Sequence, residues 1–195
     1  MYELLFRHLD KYVTLTEEER ALCVPFFEHR KFRKRQFLLQ EGEVSRYEYF
    51  ILKGCARIYE VDENGQEHIL QFGIEEWWVG DMHSFFTGTP SRYSIDCIED
   101  CDVLRMTAEN HERLCAAVPK LERHFRKLIQ WAYVASVQRI QSAMSKSAGE
   151  RYLEFITKYP QIEQRVPNHY IASYLGITPQ SLSRVRSRRL SESKK

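Results

Sequence analysis

The residues best suited to chemistry in this chain are hydrogen-bond donors rather than nucleophiles, and they gather near its end. The run is Val166-Pro167-Asn168-His169-Tyr170-Ile171-Ala172-Ser173-Tyr174-Leu175-Gly176-Ile177-Thr178-Pro179-Gln180-Ser181-Leu182-Ser183-Arg184-Val185-Arg186. Ala172 is small enough to let two helices cross closely, and Gly176 can take the left-handed conformation that ends one helix and turns the chain. Thr178 is a good N-cap, with Pro179 at the first helical position behind it. Ile171, Leu175, Ile177, Leu182 and Val185 would form the small shared core. The pattern predicts two helices joined by a tight turn, the second projecting Gln180, Ser181, Ser183, Arg184 and Ser187. Such short hydroxyls and long donors suit base edges in a DNA major groove, Arg184 matching guanine and Gln180 adenine. Arg186, Arg188 and Arg189 suit phosphates, which position a protein without specifying sequence. The candidate DNA-binding residues are therefore Thr178, Gln180, Ser181, Ser183, Arg184, Arg186 and Arg188. The plainer reading is an αα-hairpin with no nucleic-acid role.

Charge supports the first reading. The net charge of the 195 residues is only +2, yet it is unevenly spread. From Glu60 to Glu109 there are twelve acidic residues against two basic ones, Arg92 and Arg105. From Tyr174 onward six basic residues (Arg184, Arg186, Arg188, Arg189, Lys194, Lys195) face a single acid, Glu192. An acidic body with a basic end predicts a polyanion met at that end only.

Other chemistry is poorly represented. The five cysteines (Cys23, Cys55, Cys97, Cys101, Cys115) have no short paired spacing and read as free thiols. An iron–sulfur or redox centre would need a tighter cluster than Cys97 and Cys101 supply. His68 and His83 are the only histidines between Lys31 and Met106. They lack the His-x-His and carboxylate spacing that a cupin-like metal enzyme, the remote alternative, would need. No local Ser/His/Asp or Cys/His pattern suggests catalysis, so the expectation is a non-enzyme with no metal and no cofactor. The apolar stretches fall short of a membrane span, and the first residues lack signal-peptide character, so a cytoplasmic protein with no membrane partner is expected.

The elements that must position the donors follow from periodicity. Residues 1–30 read as helical, Thr16-Glu17-Glu18-Glu19 opening a second short helix as a capping box. From Lys31 to about Met106 short β-type runs alternate with turns: Gln36–Gln40, Tyr49–Lys53, Ala56–Val61, His68–Phe72, Tyr93–Glu99 and Asp102–Met106. Asp62-Glu63-Asn64-Gly65 is a hairpin turn. This spacing predicts a small antiparallel roll or barrel. After Pro119 a helix of about 28 residues carries Val118, Leu121, Phe125, Leu128, Ala132 and Ala135 at three/four spacing. Its length suggests that this stripe seeks a second chain. Ser147-Ala148-Gly149 breaks it.

The front two thirds carry a resemblance. Glu41-Gly42-Glu43, Tyr49-Phe50-Ile51-Leu52-Lys53-Gly54 and Asp62-Glu63-Asn64-Gly65-Gln66-Glu67, with Gly80-Asp81 and the helix opening near Pro119, resemble the cyclic-nucleotide-binding domain of the Crp/Fnr regulators. The resemblance implies an α+β chain: an antiparallel double-stranded, jelly-roll-like β-roll sensor (1–117), a dimerisation helix (118–146) and a helix-turn-helix DNA-binding domain (147–195). It also implies a homodimeric transcription regulator on double-stranded DNA, with RNA polymerase as a further partner. The basic run Arg30-Lys31-Phe32-Arg33-Lys34-Arg35 could touch DNA or polymerase, but reads first as an exposed loop or strand edge. Family members that bind cyclic AMP use a Gly-Glu pair for the ribose, then an arginine and a small hydroxyl residue for the phosphate. Here Gly80-Asp81 is one methylene short, Arg92 falls one place late, and Tyr93 replaces the small residue. Gly80, Asp81, Met82, His83, Arg92 and Ser136 are the candidate effector-pocket residues, and the expected effector is a small molecule other than cyclic AMP. A true cyclic-nucleotide-responsive regulator is the alternative. Trp77, Trp78, Phe85 and Phe86 either line an apolar pocket or fill the core.

Overall fold

The structure is a computed structural model describing the backbone from Met1 to Glu192 and side chains through Arg189; Lys194 and Lys195 of the expected basic end lie outside the described residues. Among the described residues, eight short strands make two four-stranded antiparallel sheets. One sheet has the order β1 (Glu28–Phe32), β8 (Cys101–Met106), β3 (Glu48–Lys53), β6 (Trp78–Val79). The other has the order β2 (Phe37–Leu39), β7 (Ser94–Cys97), β4 (Ala56–Val61), β5 (Glu67–Gly73). Tyr49, Ile51, Ala56, Ile58, Val79, Ile95, Cys97 and Val103 are buried together in one cluster. The β4–β5 hairpin closes with Gly65 at φ +78°, and the Asp62 carboxylate accepts from the Asn64 and Gln66 amides at 2.9 Å each. Strands β1 and β6 are absent from the periodicity reading. The first holds the front half of the basic run, an edge strand whose alternation is masked by charge, and the second is only two residues long.

Three helices cover the sheet containing β3 and β8. They are α1 (Glu3–Leu9), α4 (Ala108–Ala117) and the start of α5 (Lys120–Ser145), and α2 (Glu17–Cys23) opens with the Thr16/Glu19 capping box. Leu5, Leu9, Phe50, Leu104, Met106, Leu114, Val118, Leu121 and Phe125 are buried together there, with Leu128 packed against them. This corrects the expected role of the long-helix stripe. Its first half, Val118 to Leu128, is consumed by the chain's own roll.

In the same layer His8 and His124 lie ring to ring at 5.1 Å, each with an unpartnered Nε2. Burial pushes both imidazoles down to about 4, so they stay neutral in the fold. Both would titrate nearer 6.5 when unfolded, so the unfolded chain binds more protons and stability falls as pH drops from about 6.5 toward 4. Buried Glu48 runs the other way: desolvation raises its carboxyl to about 7, so its protonation favours the fold as pH falls. His8 and His124 against Glu48 leave a net loss on the order of 1–2 kcal/mol between pH 7 and pH 5, to which His111, also lowered by burial, adds. In urea titrations Glu48→Gln should roughly double that loss, because it removes the opposing group. A variant with the wild-type slope would show that Glu48 does not oppose the histidines.

Beyond α5 come α6 (Ala148–Lys158), α7 (Pro160–Arg165), α8 (Asn168–Tyr174) and α9 (Pro179–Glu192). The break falls at Lys146, because Ser147 caps α6 with Glu150 in a second capping box. These helices do not stand apart from the roll. Tyr59, Ile69 and Phe72 share one buried cluster with Tyr152, Phe155, Ile162, Ile171 and Leu175.

Candidate nucleic-acid interface and sensor site

Helix α8 ends at Gly176, whose φ of +63° is the left-handed turn the sequence predicts. The Ile177 amide donates back to Ala172 O at 3.0 Å, and Arg151 Nη1 caps Leu175 O at 2.8 Å. Thr178 Oγ1 then accepts from the Ser181 amide at 3.2 Å, opening α9 with Pro179 in its first turn. Leu182 is buried with Ile171 and Ala172, and Ile177 and Val185 pack against them. That anchorage turns Thr178, Gln180, Ser183, Arg184, Ser187, Arg188 and Arg189 outward as exposed residues. Gln180, Ser183, Arg184 and Ser187 share one face by their three/four spacing. Ser181 is half-buried, bonded to Thr178 and accepting from Arg184 Nη2 at 3.3 Å. Arg186 departs from its expected role. It ion-pairs with Glu163 at 3.0 Å and bonds to Asn168, tying α9 to α7 and α8 instead of facing a phosphate. Its position in the sequence resembles that of its neighbours; only the approach of Glu163 separates them.

The expected effector residues do not converge. Asp81 is buried and caps α3 (Met82–Thr87), accepting from the His83 and Ser84 amides at 3.0 and 3.3 Å. Its second oxygen accepts from Ser91 Oγ at 2.7 Å. The amides that would receive an anion are therefore already paired with a carboxylate. The Arg92 side chain is 83 % exposed and lies 3.4 Å from Glu60, outside this arrangement. Met82 and His83 are exposed, and the Ser136 hydroxyl donates to Ala132 O of its own helix at 2.9 Å. Of the aromatic residues, Phe85 is buried, Phe86 is exposed, Trp77 packs on Tyr159 and Trp78 packs on Phe50 and Phe125. His68 bonds to Asp62 on the β4–β5 turn, and no group of three or more His, Cys, Asp or Glu side chains among the described residues could hold a metal.

Two features went unseen in the sequence. One is the seam joining the C-terminal helices to the roll. Arg57 on β4 is bidentate to Asp96 at 2.8 and 2.9 Å, bonds to Glu67, and lies between the rings of Tyr59 and Tyr170 at 4.1 and 4.0 Å. Ser173 Oγ donates to Glu67 O at 2.7 Å and accepts from the Ile69 amide at 2.9 Å, covering the open edge of β5. Arg165 reaches Glu75 at 2.7 Å and Glu99 at 2.6 Å. The other is which face of α5 is left open: not the predicted stripe but a row displaced from it, where Ile129, Tyr133, Val137, Ile140 and Met144 are exposed, Met144 by 84 %. Between Leu128 and Ser145 the only charge is Arg139, and it turns to Leu70 O and the Tyr174 ring.

The fold is a roll of two antiparallel sheets, a long helix and a C-terminal helix-turn-helix, and residues 29–118 match the cyclic nucleotide-binding domain family. The chain is 26 % identical over 189 residues to the fumarate and nitrate reduction regulatory protein of Vibrio cholerae, covering 90 % of this chain and 74 % of that one. It is 22 % identical over 170 residues to the transcriptional activator protein Anr of Pseudomonas protegens, covering 82 % and 69 %. The fold is similar to that of FixK2 from Bradyrhizobium japonicum, with a TM-score of 0.71, 19 % identity and 86 % of each chain covered. The chain is thus similar over most of its length to Crp/Fnr transcriptional regulators. No helix among the described residues is long and apolar enough to cross a membrane.

Proposed function

We propose that the protein is a dimeric, sequence-specific DNA-binding regulator whose roll responds to a small molecule other than cyclic AMP. The single observation that carries the DNA reading is the outward row of Gln180, Ser183, Arg184 and Ser187 on an anchored α9. A second copy packed on the exposed face of α5 would set two such helices about 34 Å apart, one turn of duplex, and so favour a palindromic site. The domain division at 117/118 and 146/147 belongs to this reading. Arg184 and Gln180 read bases, while Arg188 and Arg189 lie along the phosphates. A polymerase contact would fall to the exposed Lys31, Arg33 and Lys34 on and beside β1.

The effector reading rests on Asp81, whose buried carboxylate already occupies the amides of α3. A phosphate placed there would meet a like charge, with Arg92 turned away.

Gel retardation with DNA from upstream of the protein's own coding region tests the central claim. Arg184→Ala should weaken specific binding by about 1–3 kcal/mol and relax specificity at one base pair. An isotherm identical to wild type would remove Arg184 from the readout. Wild-type protein that retards no such DNA at low salt would defeat the regulator reading.

A further inference from the structure

A groove of about 1780 Å³ runs between the roll, α5 and the C-terminal helices. The end toward α3 is built differently from the rest. Its wall includes Glu48, Trp78, Met82, Phe86, His111 and Phe125. Glu48 is only 6 % exposed, and its carboxyl has no hydrogen bond or ion pair within the described residues. Trp78 Nε1 and His111 Nδ1, on residues of the same wall, are buried without a partner. The rings crowd one another: Trp78 lies 5.7 Å from Phe125, His111 4.4 Å from Phe125, and Phe86 5.8 Å from His111.

Enclosing a carboxyl without a hydrogen-bond or ion-pair partner costs free energy, so Glu48 at this cavity wall needs an explanation. A carboxyl beside aromatic faces is the arrangement that receives an organic cation. The carboxylate supplies the counter-charge and the ring faces supply quadrupole attraction. Glu76, which also lines the groove, is ion-paired with Arg7 and Lys11, so Glu48 is the carboxyl left to meet a cation at this end.

We propose that this cavity is the effector site and that it takes a small amine-bearing molecule with an apolar body. The ammonium group pairs with Glu48 while the apolar part lies against Phe86, Phe125 and Trp78. The inference rests on the sensor reading given above and adds the chemical class of the ligand. Burial raises the free Glu48 carboxyl to about 7, so an incoming ammonium ion meets a group ready to ionise.

The test uses the full chain and calorimetry with phenethylamine and hexylamine. Matched 2-phenylethanol and phenylacetate, together with cyclic AMP, serve as the uncharged and anionic probes. The amines should bind at least tenfold more tightly than the alcohol or either anion. Glu48→Gln should cut amine affinity at least tenfold and leave the alcohol unchanged. Phe86 is exposed, so Phe86→Ala should fold normally, and it should weaken amine binding several-fold. Equal binding of alcohol and amine, full amine affinity in Glu48→Gln, displacement of an amine by cyclic AMP, or no amine binding would overturn the proposal. If Glu48→Gln does not fold, the amine-over-alcohol preference of wild type and the Phe86→Ala result decide it. Gel retardation run in parallel separates the two readings. DNA binding without amine binding defeats only the cavity, whereas amine binding without DNA binding defeats the regulator reading.

Discussion

Val137→Glu combined with Ile140→Glu on the exposed face of α5 is expected to convert the protein to a monomer. It should also lower affinity for a two-half-site DNA by at least about 100-fold, a loss of about 3 kcal/mol or more. A solvent helix normally alternates an apolar stripe with charge, yet α5 shows no free charge from Leu128 to Ser145. Tyr133, Val137, Ile140 and Met144 lie four, three and four residues apart, the seam spacing of a two-helix coiled coil, with Ile129 beside them. Burying each such side chain against a second copy is worth roughly 1.5–3 kcal/mol. Two glutamates would lose that gain and be desolvated without partners. Sedimentation gives the mass, and retardation on full and half sites gives the affinity. A variant that stays dimeric would mean that the partner lies elsewhere.

Arg57→Ala is expected to cost about 3–5 kcal/mol, the usual penalty for removing one member of a buried ion pair. The Asp96 carboxylate would lose both of its guanidinium bonds while remaining buried. The same change removes the only cation held between Tyr59 and Tyr170 among the described residues, and with it a link between α8 and the roll. Chemical denaturation measures the stability. Hydrogen exchange should show the amides of α8 opening before those of β3 and β8. The double variant Arg57→Ala/Asp96→Ala should recover part of the loss, since no unpaired carboxylate then remains. Additive losses in that cycle would show that the two side chains act independently. In that case the seam would rest on its apolar contacts, Phe72 against Phe155 and Tyr174.

Much of this molecule is written in short-range patterns. The turn at Gly176, the cap at Thr178, the Asn64-Gly65 hairpin and the Thr16 capping box each depend on a few neighbouring residues, and each is seen in the structure. Strand β4 is found at its predicted bounds, while β3 and β5 begin one residue early and β7 is shorter at both ends. Such elements are legible because backbone sterics and capping bonds act over four residues or fewer.

The side chains that meet partners far along the chain were not legible in this way. Arg186 looked like a phosphate contact because its neighbours do, yet Glu163 claims it across twenty-three positions. Asp81 looked like a ligand residue with a short side chain, but Ser91 and the α3 amides engage it. The long-helix stripe was read as one surface, although its first half is buried by Phe50 and Leu104 and only its second half is left open. Local sequence thus determined the elements, the helix-turn-helix and the outward donors, because local forces dictate them. Tertiary structure decided which charges are spent internally, which helix face is unpartnered, and that Glu48 is buried without a partner, because those depend on what the folded chain brings alongside.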